Sequence, residues 1–85
     1  PEHEQQSFQA KIYPNPAKDQ INLEILNPEK KKLQVSVYQM TGQLVFTEYI
    51  EKDIHSTAHI ILPPGIYQVI LRDDLYSLAL KALVN

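Results

Sequence analysis

Between its prolines and glycines the chain sets an apolar residue at every second position, in one run after another. Ile21, Leu23 and Ile25 alternate with Gln20, Asn22 and Glu24. Leu33, Val35 and Val37 alternate with Gln34, Ser36 and Tyr38, and Tyr67, Val69 and Leu71 share a third such face. A period of two belongs to a β-strand, whose successive side chains point to opposite sides of a sheet; alternation means that only one side is buried.

The breaks between runs carry turn chemistry. Phe8, Ala10 and Ile12 predict a short edge strand halted by Pro14-Asn15-Pro16, because proline fixes φ and donates no ladder hydrogen bond. Asn27-Pro28 ends the next run, and Glu29 to Lys32 reads as a solvated turn of mixed charge. Thr41-Gly42 puts a glycine where a hairpin takes positive φ, and a further strand is expected from Gln43 to Ile50. A weaker strand signal runs from His55 to Leu62, broken by Pro63-Pro64-Gly65.

The closing segment fits two patterns. Leu75, Leu78, Ala79, Ala82 and Leu83 match a helical stripe, whereas Tyr76, Leu78, Leu80, Ala82 and Val84 match one strand face. Asp73-Asp74 stands where a tight hairpin would join it to the preceding strand, and every other segment reads as β, so the strand is the favoured reading. Roughly seven short strands spaced by turn residues, with no βαβ pattern, predict an antiparallel sandwich.

At 85 residues the chain has room for one domain and one core, and little room for a cleft between lobes. A 44% apolar and 21% charged composition is that of a folding globule. The formal net charge of -2 provides no basic field for phosphates or anionic membrane surfaces, so nucleic acid is not expected as a partner, and with no apolar run of the roughly 18 residues a membrane helix needs, no membrane insertion is expected. With no cysteine, disulfides and thiolate chemistry are excluded. Residues 1–7 are polar and aperiodic and start without Met, so they read as a linker remnant from an upstream domain, leaving 8–85 as the module.

Nothing in the pattern assembles a reactive site. His55 and His59 lie four apart and could share a face, but two nitrogen donors without a third ligand read as exposed strand residues. Asp73 and Asp74 would point to opposite sides of a strand, the wrong arrangement for an acid and base pair, so they read as turn residues. Ser36, Ser56 and Ser77 have no nucleophile elbow and no positioned base. Neither a cofactor nor catalysis is expected; the five tyrosines read as half-buried packing residues.

Taken in order, three motifs stand out. They are Tyr13-Pro14-Asn15-Pro16-Ala17 with Asp19; Val35 to Val45, ending in Met40-Thr41-Gly42-Gln43; and Leu62-Pro63-Pro64-Gly65-Ile66-Tyr67-Gln68-Val69. With a closing strand carrying Lys81, this series resembles the type A C-terminal sorting domain of the type IX secretion system, over about residues 12 to 85. The resemblance implies an immunoglobulin-like antiparallel β-sandwich that routes an attached cargo out of a Gram-negative cell, leaving it secreted or on the cell surface.

It also implies partners: an outer-membrane translocon, a shuttle protein, and a cell-surface sortase that removes the domain and joins the cargo to an anionic lipopolysaccharide. The residues carrying the family pattern are Tyr13, Pro14, Asn15, Pro16, Gly42, Pro64, Gly65, Tyr67, Lys81, Leu83 and Val84. The family often finishes on a basic residue, and here Lys81 alone matches. The competing readings are an immunoglobulin-like cell-surface adhesion or carbohydrate-binding module, and a fragment of an enzyme.

Overall fold

The computed structural model describes residues 8–50 and 54–85 and is all β among them. The strands are β1 (Gln9–Lys18), β2 (Gln20–Leu26), β3 (Leu33–Gln39), β4 (Leu44–Ile50), β5 (His55–Ile61), β6 (Gly65–Arg72) and β7 (Ser77–Val84). They form two layers, β1-β2-β5 facing β4-β3-β6-β7, consistent with an immunoglobulin-like sandwich. The expected linker, residues 1–7, lies outside the described residues.

The alternating faces close on one another as the periodicity requires. Ile21, Leu23 and Ile25 of β2 meet Leu33, Val35 and Val37 of β3 and Tyr67, Val69 and Leu71 of β6 in a single cluster of fully buried side chains. Each contributes about 1.5–3 kcal/mol by leaving water. The closing segment resolves as a strand: Leu78, Leu80, Ala82 and Val84 turn inward opposite Leu71, Val69, Tyr67 and Gly65. The helical stripe loses because a helix could not extend the ladder that β6 offers to β7.

β1 departs from expectation. The prolines do not halt it; the strand continues to Lys18 and changes partner as it passes them. Gln9 to Tyr13 pair antiparallel with β2, pairing resumes at Lys18, and Ala17 pairs parallel with Val84 of β7. Pro14 and Pro16 therefore occupy the stretch where β1 belongs to neither ladder fully, the one place in a strand where a missing N–H leaves nothing broken. β1 thereby ties the two layers together.

Candidate functional site

The strand registers divide the sandwich into two poles. At one, β3 ends opposite the start of β6 (Gln39 with Tyr67), β6 starts opposite the end of β7 (Gly65 with Val84), and β1 meets β7 at Ala17. β2 and β5 close the same pole, with Gln20 opposite Ile61 and the Leu62 N–H bonded to the Asp19 carbonyl at 2.9 Å. The other pole holds the start of β1, the β2–β3 turn and the β6–β7 hairpin, with Gln9 beside Leu26 and Arg72 beside Ser77.

The residues quoted above for the resemblance come from four separate parts of the chain, and the registers bring the Pro14–Pro16, Gly42, Pro64–Tyr67 and Lys81–Val84 segments toward the first pole. Phe8, where the described chain begins, is buried at the second. We refer to these as the motif pole and the junction pole.

Asn15 makes the central connection of the motif pole. Its side-chain Nδ2 donates to the Lys81 carbonyl at 3.0 Å and its Oδ1 accepts the Leu83 N–H at 3.1 Å. The Asn85 N–H then donates to the Ala17 carbonyl at 2.8 Å, so side chain and backbone of the Pro14–Ala17 segment follow one another along β7. The reason lies in the flanking prolines: with no N–H at positions 14 and 16, the backbone cannot donate there, and a side-chain amide offers the same donor and acceptor pair as a peptide group. Both X-Pro bonds of the segment, Tyr13-Pro14 and Asn15-Pro16, are cis.

The two glycine turns complete the pole. Gly42, at φ 97°, closes the β3–β4 hairpin: its N–H reaches the Gln39 carbonyl at 2.8 Å and the Gln39 N–H reaches the Gln43 carbonyl at 2.8 Å. That left-handed position is what the sequence reading required of Gly42. Gly65, at φ 158°, lies against the Tyr67 ring, whose hydroxyl donates to the Pro63 carbonyl at 2.6 Å. Tyr67 is thus fully buried with its polar end satisfied, deeper than the half-buried role expected of the tyrosines.

What the pole presents to solvent is strand surface. Leu83 is 37% exposed and pairs with Ile66, 46% exposed, while Lys81 pairs with Gln68 on the same outer face. Met40 of the hairpin and Leu44 add exposed apolar surface to this layer. Val84, Tyr67 and Ala82 point the other way into the core. The outer face of β1-β2-β5 differs: it carries the Lys11–Glu24 ion pair at 3.3 Å and the His59 Nδ1 to Asn22 Oδ1 contact at 2.6 Å.

The structure gives the other polar candidates local roles. His55 and His59 sit on the exposed side of β5, and no group of three or more residues able to hold a metal ion occurs among the described residues. Asp73 Oδ1 accepts the Leu75 and Tyr76 N–H groups, each at 2.7 Å, which makes Asp73-Asp74 a side-chain-capped hairpin turn. At the junction pole lies an open shelf lined by Lys31, Lys32, Tyr49, Arg72 and Asp73.

One residue at that pole escaped the sequence reading. Asn27, taken there only as a strand terminator, is 0% exposed; its side chain donates to the Lys31 carbonyl at 2.7 Å and accepts the Lys31 N–H at 3.3 Å. Its backbone N–H also reaches the Ile54 carbonyl at 2.7 Å. The signal was the Asn-Pro start of a turn, since asparagine side chains close such turns on the backbone.

A search of the curated proteins and a search of the solved structures gave no match. The family model for the secretion system C-terminal sorting domain matches residues 11–85, from within β1 to the end of β7 and beyond, and covers the motif pole. The chain therefore belongs to the family of type IX secretion C-terminal sorting domains, which mark proteins for export across the outer membrane to the cell surface or beyond it.

Proposed function

We propose that this domain is a docking label whose motif pole is engaged by the outer-membrane translocon and its shuttle protein. A cell-surface sortase then cuts the polar stretch ahead of Phe8, freeing the cargo for attachment to anionic lipopolysaccharide. The observation that carries this reading is the convergence of Pro14–Ala17, Gly42, Pro64–Tyr67 and Lys81–Val84 at one pole while Phe8 lies at the other. Recognition and cleavage are then separated by the length of strands such as β6 (Gly65–Arg72), so a bound carrier leaves the junction accessible. Docking of a rigid pole also loses little conformational entropy, since prolines and paired strands have already set its loops.

The test is a reporter with an export signal fused ahead of Phe8–Asn85, expressed in cells that carry the secretion machinery. Release should fail when Leu83 to Asn85 are removed. Lys81→Glu with Leu83→Asp, both on exposed side chains, should lower release by about tenfold or more. Lys32→Glu with Leu75→Ser at the junction pole should leave it unchanged. The reverse pattern would refute recognition at the motif pole.

A further inference from the structure

We infer that Asn15 is a positioning residue, a latch that fastens the end of the terminal strand to β1 and thereby holds Lys81 and Leu83 where a carrier meets them. This rests on the docking reading above. The latch itself rests on geometry alone: one side-chain amide grips the peptide groups on both sides of Ala82, taking the Lys81 carbonyl and the Leu83 N–H.

The need for a latch follows from the sequence of β7. Its inward residues are Leu78, Leu80, Ala82 and Val84, so a shift of one residue would expose the apolar set and is forbidden. A shift of two keeps every apolar residue inside, and the alternation does not oppose it. The short turn capped by Asp73 fixes the register at the start of β7, and at the far end of the strand Ala82 opposite the large Tyr67 ring and Asn15 on the outer edge hold it there. Backbone pairing on that edge is slight, consisting of the Ala17–Val84 bridge with the Asn85 N–H on the Ala17 carbonyl.

The same two bonds divide the edge of β7. Because the Leu83 N–H and the Lys81 carbonyl point away from β6, those of Ala79 do so too by the two-residue repeat. Asn15 therefore covers the last stretch of an edge whose earlier part lies toward Ser77. Lys81 and Leu83, exposed on the outer face, are the side chains whose backbone the latch holds.

Backbone hydrogen exchange on the chain, with export of the reporter fusion, tests this. In Asn15→Leu the Leu83 amide should exchange about tenfold or more faster, toward the rate of the Ala79 amide, while amides of β3 and β6 keep theirs. Release of the fusion should fall with it. Asn15→Asp keeps an acceptor for the Leu83 N–H but offers the Lys81 carbonyl no donor; it should retain Leu83 protection and release an intermediate amount.

An unchanged Leu83 rate in Asn15→Leu overturns the latch. So does equal acceleration throughout β3 and β6, which would mean general stabilisation. If Asn15→Leu frees the Leu83 amide yet is exported like the parent while Lys81→Glu with Leu83→Asp is not, positioning fails and docking stands. If all of these variants are exported normally, the docking reading itself fails.

Discussion

At each pole of the sandwich an asparagine side chain satisfies backbone groups, but over very different distances along the chain. At the junction pole Asn27 reaches Lys31, four residues on. At the motif pole Asn15 reaches Lys81 and Leu83, 66 and 68 residues away. The Asn27 contact closes a short loop at little entropic cost, whereas the Asn15 contact exists only where β1 and β7 lie side by side.

Substitutions can break or sharpen that contrast. Tyr67→Ala should have the largest effect, about 3–5 kcal/mol, since it empties a fully buried site and strips the Pro63 carbonyl of its donor. Urea unfolding measures it; a loss below about 1 kcal/mol would show that the ring does not hold the pole together. Asn27→Ala should cost about 2 kcal/mol by orphaning buried groups of the Lys31 peptide, yet leave reporter export unchanged where the variant is folded. Loss of export from that folded variant would erase the functional difference between poles.

The glycine turns come next. Gly65→Val should destabilise by about 1–3 kcal/mol, because a branched side chain is strained at φ 158° and its Cβ would already lie 3.4 Å from the Tyr67 hydroxyl. Gly42→Ala, at φ 97° with open space around it, should lose about 1 kcal/mol from backbone conformation alone. An unchanged melting temperature for Gly65→Val would refute its turn assignment. Smallest is Lys11→Ala on the outer face between the poles: its ion pair with Glu24 is solvent-exposed at both ends, so the change should stay below about 0.5 kcal/mol and shrink further in high salt.

Much of the sandwich was legible because strand faces are written locally. Ile21, Leu23, Ile25, Leu33, Val35 and Val37 announce their burial by alternation alone, and each is buried. Gly42 announced its positive φ by its place in a hairpin. Ser36 was not legible: it stands on the outward side of β3 yet is 3% exposed, covered between Thr47 and Ile70 of the neighbouring strands. Nor was the passage of β1 through its prolines, because a proline rules out a ladder bond at one residue without saying whether a ladder is needed there.

At the site the motif residues could be named from their order in the chain, but not the use each serves. The strand reading already set Val84 on one face with Leu78, Leu80 and Ala82, and the structure turns that face inward while Lys81 and Leu83 face solvent. Asn15 reads in sequence as a turn residue between prolines; its partners lie at the far end of the chain.

Side-chain direction repeats every two residues along any extended backbone, so the β class and the buried faces follow from the order of residues alone. Which strand lies beside which, that β1 serves both layers, and that Asn15 meets β7 were decided only in three dimensions. They depend on segments far apart in sequence becoming neighbours, and no local rule of backbone geometry carries that information.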